Sequence, residues 1–207
     1  MRRLEKLDRG ICNRRPGVNP TVDAEALKYL MVEMITEARV DVFLHCWGVD
    51  AIMDGNKVCG AVFESKSGRQ ALLGRVVIDC TGDGDILHLA GEEYEVMNYE
   101  MGLVHRLGNI DRINTDAPGY EELPIGGETP IPSVNWVNMV GGENENALDF
   151  RRLSELQQEH RIEIWEDVQK IRSTPGYEAV FLLDTAAQYG VRMSRILKGE
   201  YQLTLED

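Results

Sequence analysis

The sequence predicts an α/β fold, with a parallel sheet that carries a β-meander and is followed by an α+β region. Three observations lead there. An amphipathic helical pattern precedes the first β-rich run, and three short strand patterns separated by tight-turn signals come next. The third of these ends in Val76, Val77 and Ile78, a continuous apolar run of the kind found where a parallel strand is covered on both faces. With 207 residues, 43% of them hydrophobic, the chain is long enough to bury a core and too apolar to be disordered.

Residues 1 to 20 are basic, carry Pro16 and Pro20 and show little periodicity, so they read as an incoming segment whose packing partners lie elsewhere. From Asp23 onward, Leu27, Leu30, Met31, Met34, Ile35 and Ala38 recur at three- and four-residue steps. Asp23 is placed to cap and Glu25 to favour the dipole, which predicts a helix from 23 to about 38. VDVFLHC (40 to 46) is a short β-rich run. WGVDAIM, the turn Asp54-Gly55-Asn56 and KVCGAVFES then form a hairpin, and RQALLGRVVID, after Lys66-Ser67-Gly68, reads as a third strand.

That strand runs into Thr81-Gly82-Asp83-Gly84-Asp85, and ILHLAG begins a short helix. GLVHRLGNID (102 to 111) looks like another strand. Residues 112 to 147, rich in Pro and Gly, are expected to form a long irregular excursion. A second amphipathic helix is predicted from about 148 to 172, with Leu153, Leu156, Ile164, Trp165, Val168 and Ile171 on one stripe and Pro175-Gly176 as its stop. AVFLLDT is strand-like and is followed by GVRMSRILKGEYQLT.

Composition excludes several classes. Lys and Arg number 22 against 35 Asp and Glu, a formal charge of −13, and no basic cluster with interleaved aromatics offsets it, which argues against nucleic acid. No apolar stretch reaches the roughly 18 to 20 residues of a membrane span, and MRRLEKLDRG lacks a signal-peptide core. A cytoplasmic location is the resulting expectation. Cys12, Cys46, Cys59 and Cys80 show no C-x-x-C spacing and read as reduced, mostly buried thiols. His45, His88, His105 and His160 form no metal-ligand pattern, so no metal is expected. There is no G-x-S-x-G of a serine hydrolase.

TGDGD is the sharpest local feature. Two glycines at alternate positions after a buried strand allow positive φ and a close backbone approach, which suits an anion or nucleotide at a strand's carboxyl end. The bland alternative is a glycine turn whose Asp83 or Asp85 caps the next helix. A calcium pair is a third reading, although the rest of an EF-hand loop is missing. A hydrolase built on Asp83 and Asp85 lacks a second carboxylate site. In Gly190–Arg195, strand alternation puts Arg192 and Ser194 on one face and Arg195 on the other. Each arginine is either a fixed cation in a site or half of a structural ion pair. His105 is either an acid/base or a satisfied structural histidine.

Three blocks in order carry a resemblance: VDAEALKYLMVEMITEA, then ESKSGRQALLGRVVIDCTGDGDILHLAG, then PGYEAVFLLDTAAQYGVRMSRILKGEYQLT. From about residue 20 onward the chain resembles the FAD-dependent oxidoreductases that have a glutathione-reductase-like FAD domain. The resemblance implies a partial, Rossmann-like FAD-binding domain over 1–100, holding the 23–38 helix, the meander and the TGDGD turn. A substrate-side α+β region is implied over 101–207. It places Thr81, Gly82, Asp83, Gly84 and Asp85 near FAD, and the Arg192 to Arg195 block toward flavin and substrate. Met193 stands where relatives often carry an acid.

The G-x-G-x-x-G turn that seats the pyrophosphate in such proteins is absent, since Gly82 and Gly84 are the only G-x-G pair and position 87 is Leu. The expectation is therefore the interior of a flavoprotein. The first reading is an oxidoreductase that moves a hydride from an unidentified small molecule to FAD, with Arg192, Arg195 and His105 as catalytic candidates. The second is a non-catalytic binding subunit or remnant that meets a partner chain, or itself, through an unpaired sheet edge.

Overall fold

The structure is a computed structural model that describes residues 2–13, 19–201, 204, 205 and 207. Pro16, and Gln202 and Leu203 of the GEYQLT block, lie outside the described residues. In chain order the elements are β1 (Ile11–Cys12), β2 (Thr21–Val22), α1 (Ala24–Glu37), β3 (Cys46–Asp54), β4 (Lys57–Ser65), β5 (Gly68–Leu73) and α2 (Asp85–Leu89). After these come β6 (Tyr94–Val96), β7 (Tyr99–Gly108), β8 (Gly127–Glu128), β9 (Asn135–Glu145), α3 (Phe150–Ser173), β10 (Phe181–Thr185) and β11 (Arg195–Leu197). Among the described residues no helix is long and apolar enough to cross a membrane.

The chain forms two compact units. The first comprises residues 1–40, 100–143 and 150–190, and the second comprises 41–99, 144–149 and 191–207. In the first unit a four-stranded sheet has the order β10-β7-β9-β8, and β1 pairs with β2. Strand alternation puts Met101, Leu103, His105 and Leu107 of β7 on one face, and all four are buried. On α3, Leu156, His160, Ile164 and Val168 repeat every four residues and are the buried positions of that helix. Leu107, Val168, Tyr177 and Val180 form one apolar cluster, with Val137 and Ile171 packed on it. The expected stripe is thus corrected at two places. Trp165 is 57% exposed, and His160 takes the position the apolar pattern left open.

α1 starts as its sequence dictates, with the Asp23 carboxylate accepting the N–H groups of Glu25 (2.8 Å) and Ala26 (3.4 Å). Only Leu30 of its apolar stripe is buried; Met31 and Met34 face solvent.

The second unit holds the meander β3-β4-β5, antiparallel throughout, and the antiparallel pair β11-β6. Here the structure corrects the predicted architecture. Every strand pairing described is antiparallel, and the parallel sheet is not present among the described residues. The third strand ends at Leu73, and Val76 to Asp79 continue as unpaired chain with Val76 77% and Ile78 79% exposed. VDVFLHC behaves alike, since residues 40–44 belong to no strand and Leu44 is 74% exposed. The physical reason is that a two-sided apolar strand needs a neighbour on each edge and cover on each face. The meander occupies the chain between these two segments without supplying either.

The expected excursion over 112–147 is also corrected, because it contains the eleven-residue strand β9. The cysteines differ from expectation too. Cys12, Cys46 and Cys59 are half-buried, Cys80 is exposed, and all four are free.

Candidate functional site

In the second unit the chain leaves the meander and turns at Thr81–Asp85 into α2. The residue that precedes this helix, Gly84, sits in the left-handed region (φ 63°) and has no side chain to cap with. The capping comes from further back. The hydroxyl oxygen of Thr81 accepts the N–H of Asp85 (2.9 Å), and Asp79 Oδ2 accepts the N–H of Leu87 (3.0 Å). Asp79 Oδ1 also accepts both the N–H and the hydroxyl of Thr81, at 2.9 and 2.7 Å. Burial alone raises the Asp79 pKa, but the hydrogen bonds from Thr81, Leu87 and Ile86 outweigh it and hold the carboxyl below its ordinary range.

A second brace comes from residues 194 and 195. The Ser194 hydroxyl, fully buried, donates to Asp83 Oδ1 at 2.6 Å. Arg195 Nη1 donates to Asp85 Oδ1 at 2.7 Å and to the Asp83 carbonyl at 3.1 Å, and its guanidinium lies over the Tyr94 ring, 5.6 Å from the centroid. β11 and β6 pair in a register that sets Arg195 opposite Val96, so the strand pair itself delivers the arginine to the turn. Its side chain is only 14% exposed, a setting in which a charged hydrogen bond is worth more than at the surface.

Between the braces the backbone is open. Gly82 has φ 93°, and a Cβ built there meets nothing within 4 Å. The N–H groups of Gly82, Asp83 and Gly84 donate to no described residue. Successive free N–H groups at a left-handed turn make a concavity that accepts negative or polar oxygen atoms.

The five turn residues expected near a cofactor are therefore assembled together, with Ser194 and Arg195. Both aspartates are committed to those partners, and among the described residues no group of three or more His, Cys, Asp or Glu could hold a metal ion. Arg192 is exposed, with its guanidinium 5.7 Å from the centroid of the Tyr99 ring. The two arginines thus stand over different tyrosines. His105 belongs to the other unit, on the core face of β7 and 6% exposed. Burial lowers its pKa, which the Asp167 charge partly offsets. Sequence reasoning missed Asp79 and Tyr94. The Asp-x-Thr step was the available signal, because short polar side chains commonly bond backbone two residues on.

Fold and turn together define a mixed α/β protein in which the turn that leads into α2 leaves backbone N–H groups open. The sequence model of the family described as FAD dependent oxidoreductase matches residues 1–112, just over half of the 207. The chain belongs to that family, whose cofactor is FAD. The third resembling block, from Pro175 onward, lies beyond the matched residues. No curated protein and no solved structure matches the chain. The residues present fit part of FAD: open N–H groups and the bare Cα of Gly82 allow a polar edge of the cofactor to approach the backbone directly.

Proposed function

We propose that the protein serves in hydride transfer from a small-molecule substrate to flavin, with Thr81–Asp85 receiving FAD. The observation that carries this is the doubly braced turn, whose N–H groups at 82, 83 and 84 are held open in front of a helix start. When bound, FAD supplies the acceptor for a hydride that leaves a substrate carbon. This chain's part is placement. Asp79 and Thr81 fix the path of the backbone, Ser194 orients the Asp83 carboxylate, and Arg195 neutralises and orients that of Asp85, so that neither turns on an incoming phosphate or carbonyl.

In this reading Arg195 is a positioning residue. Arg192, exposed over Tyr99, is the cation left to meet an anionic substrate group. Residues up to about 100 act as the FAD side, where Ser194 and Arg195 join them, and the rest of the chain beyond 100 as the substrate side. The test is a titration of FAD with the purified chain, followed by flavin fluorescence. Saturable quenching is expected, with Gly82→Val binding roughly tenfold or more weakly because a β-branched residue resists positive φ. Unchanged fluorescence across the titration removes the reading.

A second reading rests on a different observation. Residues 40–44 and 75–79 belong to no strand and expose Val40, Val42, Phe43, Leu44, Val76 and Ile78, which is the setting for strand addition by a partner chain or a second copy, and such pairing would supply the Rossmann-like parallel sheet. Sedimentation velocity across a concentration series tests it, since a chain that stays monomeric throughout has no self-pairing edge.

A further inference from the structure

The first unit contains a cavity of about 330 Å³ whose walls include Leu123, Pro124, Val137, Val140 and Ile171, with His105 as its polar wall. The residue His105 is 6% exposed; its Nδ1 is sealed from solvent with no hydrogen-bond partner among the described residues, so a ligand in the cavity meets the ring at Nε2. The cavity beside it is more than twice the roughly 150 Å³ that accommodates a benzene-sized molecule. At its rim Asp167 and Lys170 are bonded to each other at 2.7 Å, so neither offers a net charge to a ligand.

We propose that this cavity is a binding site for a small neutral molecule, a single aromatic ring bearing a hydroxyl, whose hydroxyl meets the His105 imidazole. The apolar walls take the ring, the imidazole takes the hydroxyl, and the self-neutralised rim disfavours an ion. Burial favours neutral His105, and the Nε2 of a neutral ring either donates to a hydroxyl or accepts from it, according to the tautomer. The site lies on the helix-covered face of β7, and its residues are not those of the turn at 81–85, so it stands or falls separately from the flavin reading.

The experiment is an imidazole proton–nitrogen correlation spectrum of the nitrogen-15-labelled full chain, titrated with phenol at pH 7. The His105 ring signals should move saturably while those of His45, His88 and His160 stay in place, and benzene should bind roughly tenfold more weakly for want of one hydrogen bond. Ile171→Trp, which fills the cavity, should abolish the movement. His160, hydrogen-bonded to Tyr189 in the same unit at 2.8 Å, reports whether that variant is folded, and Val140→Phe replaces it if not. A His105 signal that does not move, one that drifts linearly with the other three histidines, or a response that persists in the folded filled variant overturns the proposal. Throughout, FAD quenching by Ile171→Trp should equal that of the unmodified chain.

Discussion

The two units are held together by different physics. The first is organised by apolar burial: Leu103, Leu107, Ile164, Val168 and Val180 are essentially inaccessible and come from β7, α3 and the loop between α3 and β10. Among the described residues of the second, only Ala61 and Ile86 are buried apolar side chains, whereas Leu44, Leu73, Val76 and Ile78 face solvent. Its order comes from backbone pairing in the meander and from the Asp79, Thr81, Ser194 and Arg195 hydrogen bonds around the turn. Packing determines stability, and polar bracing determines where a few donors point. A unit built the second way suits a site, at the cost of leaving apolar strand segments uncovered.

The sharpest way to break this contrast is to remove equivalent volume from each unit. Ile164→Ala should cost about 2–5 kcal/mol in urea denaturation, because its site is closed on all sides. Ile86→Ala should cost about 2 kcal/mol or less, since its helix is five residues long and borders the open turn. Equal losses would show that the second unit has a core as tight as the first.

Next in size is a pair of cap removals. Asp79→Ala and Asp23→Ala each delete a carboxylate that accepts helix-start N–H groups, and each should cost about 0.5–2 kcal/mol. They should part company in function: Asp79→Ala weakens FAD quenching by roughly tenfold, and Asp23→Ala leaves it unchanged. If Asp79→Ala loosens the Leu87 amide in hydrogen exchange but FAD binding is intact, the brace serves the helix alone.

The same contrast explains what could be read in advance. α1 was legible because Asp23 and the three- and four-residue spacing are local signals, and the β3-β4 hairpin because Gly55 supplies the positive φ (59°) its turn needs. α3 was legible except at His160, where a polar residue fills a core position through a Tyr189 partner 29 residues away. β9 was hidden by Gly141 and Gly142. At Gly141, with φ 142°, a Cβ would stand 2.3 Å from the Met101 carbonyl, so a glycine that reads as loop is a strand residue passing close to a neighbour. The turn at 81–85 was legible as glycine spacing. Its bracing was not, because Ser194 lies 111 residues from Asp83. The failed parallel strand is a different case, since an apolar run reads the same whether or not its neighbours are beside it.

Titration separates the units by pH. Both His105 and Asp79 have folded pKa values below their unfolded ones, so between the two values the unfolded chain binds more protons and stability rises with pH. For His105 the stabilisation is complete above about 6.5 and is lost as pH falls through the lower folded value. For Asp79 it is complete above about 3.9 and is lost below that. On acidification, amide protection should therefore weaken first around β7 and α3, and only later at Leu87. The reverse order would mean that His105 finds a partner for its protonated form, with Asp167 the nearest candidate.

The smallest stability effect should come from the exposed strand segments. Ile78→Lys places a charge where the side chain is 79% exposed, so its cost should stay within about 0.5 kcal/mol. A lysine on an open edge blocks strand addition, so any concentration-dependent self-association should fall by the same change. In the packed unit the matching substitution, Leu103→Lys, buries an unpaired charge and abolishes folding. Should Ile78→Lys instead cost well over 1 kcal/mol in a chain that stays monomeric, the 75–79 segment is covered from within the chain, and the uncovered strand ceases to distinguish the two units.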